Sequence, residues 1–116
     1  MRVLLCTLVS VGLHFFMGWP FTVAAGILAG FMIQPRGWLW GGIAVGLGWL
    51  GLAGYNFYAA PDATREFLGV MGTLMGNQSP IVVVALTAVI GVVLGEVGGM
   101  FGRSLFYLSQ PGKTTR

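Results

Sequence analysis

Residues 81–107 read IVVVALTAVIGVVLGEVGGMFGRSLFY. No charged side chain occurs from Ile81 to Gly95, and only Glu96 and Arg103 interrupt the run before Tyr107. A helix needs roughly 20 apolar residues to cross a hydrocarbon core about 30 Å thick, so this stretch predicts a membrane span. Upstream, residues 37–59 predict a second, glycine-rich span that ends in Tyr55-Asn56-Phe57-Tyr58. Two shorter apolar segments precede it, over residues 3–18 and 20–34, parted by Trp19-Pro20.

Composition supports a membrane class for the whole chain. Soluble domains average about 25% charged residues, whereas this chain has 8% charged and 56% hydrophobic residues. Mean hydropathy is +0.86. Three or four spans consume nearly all 116 residues, so residues 1–116 are expected to form a single transmembrane domain. The net charge of +3 comes from Arg2, Arg36, Arg65, Arg103, Lys113 and Arg116. These are scattered or sit at segment ends, unlike the clustered footprint of a nucleic-acid binder. The single cysteine, Cys6, precludes an internal disulfide or a cysteine-based metal cluster and reads as a small apolar residue. Arg2 followed by Val3 to Phe16 has the form of a signal peptide. No Ala-x-Ala pattern follows it before Trp19-Pro20 and more apolar sequence, so the segment is expected to remain as a span.

Length and charge decide how the first two segments run. One helix of about 32 residues would reach about 48 Å, well beyond the core, whereas a hairpin of two helices near 25 Å each fits with some local thinning or tilt. Basic residues favour the cytoplasmic side. With four spans, Arg2, Arg36, Arg103, Lys113 and Arg116 share one side, leaving Arg65 with Asp62 and Glu66 on the other. With three spans, four of the six basic residues fall outside. The expectation is therefore an all-α integral membrane protein of four short glycine-rich transmembrane helices, the first two a hairpin around Trp19-Pro20. Both termini are expected in the cytoplasm, in a bacterial inner membrane.

Between the third and fourth spans, Phe67, Leu68, Val70, Met71, Leu74 and Met75 recur on one helical face, with Arg65, Glu66 and Thr73 away from it. Residues 62–76 thus predict an amphipathic helix on the outer surface, with Asp62 as N-cap after Pro61. Gly69, Gly72 and Gly76 would weaken such a helix in water, so its shape is expected to depend on lipid or on the bundle.

The order of features, a Trp-Pro turn between two short spans, Gln34-Pro35-Arg36-Gly37-Trp38 opening a Gly-rich span, and a last span beginning Ser79-Pro80 and continuing Leu86-Thr87-Ala88-Val89-Ile90-Gly91, resembles small uncharacterised membrane proteins of bacteria such as the Bacteroidota. The resemblance covers Pro20 to Leu105 and implies a multi-span fold with no known activity. Glu96 departs from the uniformly small, apolar last span of those proteins.

Twenty glycines in 116 residues is more than twice the usual ~7%. Gly26 and Gly30, Gly42 and Gly46, and Gly91, Gly95 and Gly99 fall at small-xxx-small spacing, which lets helix backbones approach closely in lipid. These ridges are read as packing within the bundle, with one on the third or fourth span as a candidate contact with another subunit.

Few residues offer chemistry. Glu96 is an intramembrane carboxylate and a functional candidate by default; it is read either as a proton- or cation-responsive group in a pathway or as a carboxylate protonated or paired with Arg103, Arg36 or a partner. His14 is a candidate axial ligand for haem or chlorophyll, or a packing residue; no other cofactor and no metal is expected. Trp19, Trp38, Trp40, Tyr55 and Tyr58 lie near span ends as interfacial anchors, and Trp49 falls within the third span as packing. No Ser/His/Asp set, phosphate loop or carboxylate pair occurs, so no enzyme is expected.

Three functions remain in play: an accessory subunit packed against a larger membrane complex, a small homo-oligomeric channel or transporter in which Glu96 lines a pore, and a haem- or pigment-bearing subunit using His14. Partners are the lipid bilayer and other membrane subunits or further copies of the chain, not nucleic acid.

Overall fold

A computed structural model describes residues 1–110. The order is α1 (Arg2–Met17), a 3-10 turn (Trp19–Phe21), α2 (Thr22–Met32), α3 (Gly37–Ala59), α4 (Pro61–Leu74) and α5 (Pro80–Leu108), with no strand among the described residues. Two of these, α3 and α5, are long and apolar enough to cross a membrane, while α1 and α2 are shorter apolar helices. Lys113 and Arg116, which entered the charge argument, lie outside the described residues.

The chain reverses at Gly18, whose φ of 94° is a conformation open to glycine and strained for other residues. Its N–H donates to His14 O at 3.1 Å, closing α1. Pro20 fixes its own φ and lacks an N–H. Phe21 N donates to Gly18 O at 3.3 Å, an i to i+3 bond that makes the first turn after the reversal 3-10 rather than α, and Thr22 Oγ1 donates to Trp19 O at 2.6 Å. The hairpin closes at its far end, where Arg2 Nη1 donates to Met32 O at 3.0 Å.

The second helix is shorter than the expected residues 20–34. It has 11 residues, or about 16 Å of rise. Residues 19–21 are taken by the turn. At the other end, a residue before proline is driven from α geometry, and Gln34 instead turns its Nε2 back onto Gly30 O at 2.6 Å.

Helices α2 and α3 form the middle of the bundle: each packs on α1, on α5 and on the other. Among the described residues, α1 and α5 nowhere approach within 8 Å, Cα to Cα. The interior is made of small residues, with Cys6, Ala25, Ala29 and Ala44 fully buried. Large apolar side chains point outward, as Leu8, Val93 and Phe101 do at 64%, 52% and 65% exposure.

The α4 helix begins one residue earlier than expected, and Asp62 is not its N-cap. Pro61 opens the helix after Ala60, no side chain caps it, and Asp62 lies in its first turn. Proline needs no N–H partner at that position. The apolar stripe also divides. Leu68 and Gly72, one turn apart, are buried, whereas Phe67, Val70 and Leu74 are exposed. Gly72 sits against Gln78 O, and its own carbonyl accepts from Gln78 N at 2.8 Å, turning the chain into α5.

Candidate functional site

The centre of the bundle is a seam of glycine backbones. A Cβ added at Gly26 would lie 2.7 Å from Gly95 O, and one at Gly41 2.6 Å from the same oxygen. Gly30 abuts the carbonyl of Gly99, and Gly102 that of Ile27. One stripe of α5 therefore serves as the floor for both α2 and α3. Gly46 faces Val92, and Gly91 faces the ring of Trp49, whose Cγ would be 3.0 Å from an added Cβ. All seven glycines singled out from spacing thus meet neighbouring helices of this same chain. Such approach lets backbone atoms gain dispersion contacts that larger side chains would prevent.

Glu96 lies at the edge of this seam. It is half-buried, and its Cγ would be 2.7 Å from a Cβ at Gly42. Gly42 stands five residues into α3, about 7.5 Å along its axis, so the side chain leaves the seam near one end of the bundle. The same end holds Arg2, Arg36 at the start of α3, and Arg103. Arg103 does not turn to Glu96; its guanidinium lies 5.6 Å from the Tyr107 ring centroid. Among the described residues the ion pair formed is Arg65 to Asp62 at 3.5 Å, on exposed α4. Neither Arg103 nor Arg36 therefore pairs with Glu96 here.

At the opposite end, His14 meets Trp49 edge to face, with ring centroids 5.4 Å apart. His14 Nδ1 and Trp49 Nε1 are both buried with no protein hydrogen-bond partner. The two rings form part of the wall of a cavity of ≈ 170 Å³. From α3 come also Leu52, Ala53, Asn56 and Phe57; α4 supplies Thr64, Phe67 and Leu68; α5 supplies Val84 and Thr87. No residue of α2 contributes, because that short helix packs lower, against residues 95–102 of α5. The space it leaves between α1 and α5 is roofed by α4, tied down where Thr64 Oγ1 donates to Asn56 O at 3.0 Å.

A cavity near 150 Å³ admits benzene, so this one can enclose a single six-membered ring and not a tetrapyrrole.

The aromatic residues expected as anchors divide between the two ends. Trp19, Tyr55 and Tyr58 are exposed at the α4 end, Trp40 is exposed near Arg36, and Trp38 is half-buried. Trp38 packs its backbone on Gly99, with Cα 2.6 Å from an added Cβ. The roles of Asn56, Thr64 and Thr87 at the cavity, and that of Trp49 beyond packing, were not read from the sequence. The i, i+4, i+7 spacing of Trp49, Ala53 and Asn56 marks a common face of α3, but nothing local says what stands opposite.

No protein-family model matches this chain, and no significant match is found among curated proteins or solved structures. The described residues by themselves define an all-helical fold with two helices fit to cross a membrane, a glycine seam and a small, largely apolar cavity.

Proposed function

We propose that the chain is a four-span protein of a bacterial inner membrane, with both termini in the cytoplasm, acting as a small accessory subunit that packs against a larger membrane complex. In this reading α1 with the short α2 forms a thin hairpin, α3 and α5 span fully, and α4 lies on the outer surface. The grouping of Arg2, Arg36 and Arg103 at one end, with Arg65 and Asp62 at the other, supports that orientation.

The observation that carries the structural role is the closed glycine seam at the centre. Gly26, Gly41 and Gly95 meet backbone to backbone, which leaves no lumen along the seam. Three hydroxyls bond back to their own helices, Thr7 to Val3 O, Thr87 to Val83 O and Ser104 to Met100 O, while the buried Ser10 Oγ, against Gly48, has no partner among the described residues. Bonding back of this kind is how isolated polar groups are tolerated in lipid. Surfaces for association include the outward face of α5, where Val89, Val93, Val97 and Met100 form an exposed stripe, and that of α1, where Leu4, Leu8 and Phe15 are exposed.

A second reading, a homo-oligomeric channel, is favoured by one observation. Glu96 has no ion-pair partner among the described residues, and symmetry would place several such carboxylates around a pore.

Extraction from native membranes in a mild detergent, with native mass spectrometry and an absorption spectrum of the same fraction, tests the proposal. Unrelated chains at fixed stoichiometry, retained in Glu96→Gln, support the accessory role. A colourless homo-oligomer whose transport is lost in Glu96→Gln refutes it in favour of the channel.

A further inference from the structure

The cavity beneath α4 is not absorbed by a structural role. We propose that it is a binding site for a small, uncharged aromatic alcohol, a molecule of phenol size.

Size and lining fix the class. At ≈ 170 Å³ the space matches one six-membered ring, since cavities near 150 Å³ admit benzene. Its walls are mostly apolar, with Trp49, Leu52, Ala53, Leu68 and Val84 among them, and apolar cavities of this size take up aromatic guests. No Asp, Glu, Lys or Arg lines it, and an ionised guest would lose its hydration without a counter-charge. The guest is therefore neutral.

The polar groups select a hydroxyl, and they include His14 Nδ1 and Trp49 Nε1, both buried on this wall without a partner among the described residues. Thr64 Oγ1 and Thr87 Oγ1 already donate to Asn56 O and Val83 O, so toward the cavity they offer lone pairs only. The Asn56 side chain makes no hydrogen bond within the described residues, is exposed at the rim, and offers both donors and an acceptor. A guest hydroxyl can accept from the Asn56 amide and donate to a threonine oxygen, two bonds that a hydrocarbon ring does not make.

The test uses the full chain in detergent micelles and 19F NMR, with 4-fluorophenol and fluorobenzene as probes and empty micelles as reference. We expect saturable binding of 4-fluorophenol, with fluorobenzene about tenfold weaker, the difference of one to two net hydrogen bonds. Ala53→Phe fills the space and abolishes binding of both probes. Asn56→Leu, a change at an exposed position, keeps fluorobenzene binding and removes the advantage of the phenol. Circular dichroism checks that each variant keeps its helix content, and Asn56→Leu decides the matter should Ala53→Phe misfold. Uptake no different from empty micelles, equal affinity for the two probes, or an Asn56→Leu protein that still prefers the phenol would overturn the proposal.

Discussion

The side chain of Glu96 on α5 occupies the notch that Gly42 leaves on α3: its Cγ would stand 2.7 Å from a Cβ at that glycine. A carboxylate-bearing residue is thereby held against a helix backbone instead of pointing freely outward. The packing of its stem and the placement of its charge are consequently one structural fact.

Gly42→Ala should destabilise the protein by about 1 kcal/mol, because the added methyl meets the flexible Glu96 stem and, at 3.1 Å, the Val92 carbonyl. Glu96→Ala removes the stem, so the pair of substitutions should cost roughly 0.5–1 kcal/mol less than their sum. Reversible SDS unfolding of the four proteins in mixed micelles measures this coupling. Strict additivity would show that the two side chains do not compete for the same space.

Glycines of the seam and glycines of the outer faces should respond in opposite ways. Gly30→Ala forces a methyl into the Gly99 carbonyl, where only the backbones can give way, so a loss of about 3 kcal/mol or more is expected. Gly54 has nothing within 4 Å of an added Cβ, and Gly54→Ala should be neutral or stabilising by up to ~1 kcal/mol through helix propensity. The same unfolding assay compares them, and equal losses would argue against the seam.

The topology makes a labelling prediction. In a Cys6→Ser background, single cysteines at Arg36 and Gln110 should react with a membrane-impermeant maleimide only after the cytoplasmic side is opened, and one at Asp62 should react in intact cells. Native Cys6, fully buried, should stay unlabelled until the protein is denatured. Opposite sidedness for positions 36 and 110 would rule out four spans.

The outward face of α4 should lie at the headgroup level. Leu74 is 76% exposed on a helix that also carries Arg65 and Glu66, the pattern of a surface-lying segment. A spin label at Leu74→Cys should be more accessible to oxygen than to a water-soluble nickel chelate, and one at Glu66→Cys the reverse. Equal, water-like accessibility at both positions would remove α4 from the membrane surface.

Much of the helical layout was legible in the amino acids. The bounds of α3 match those read from the sequence, because Pro35 and Pro61 flank an apolar stretch of membrane-spanning length. The last helix runs Pro80–Leu108 against an expected 80–107. Errors fell where local chemistry was ambiguous. The two prolines at residues 20 and 35 trimmed α2 from both sides, and Pro61 displaced Asp62 from the cap.

The candidate site was far less legible. His14 and Glu96 stood out as lone polar residues, but their surroundings did not.

The sequence alone determined the class of element and its position along the chain, since a long apolar segment in lipid satisfies its own N–H and C=O groups only as a helix. It also determined that glycine ridges exist. Tertiary structure decided which ridges meet, how low α2 sits beside α5, and so where space is left between His14, Trp49 and Asn56. The reason is physical: helix formation is set by bonds between residues four apart, whereas register between helices depends on side-chain shape summed over surfaces far apart in sequence. A shift of α5 by one turn would keep every local hydrogen bond. It would also move Glu96 off Gly42 and change what lines the cavity.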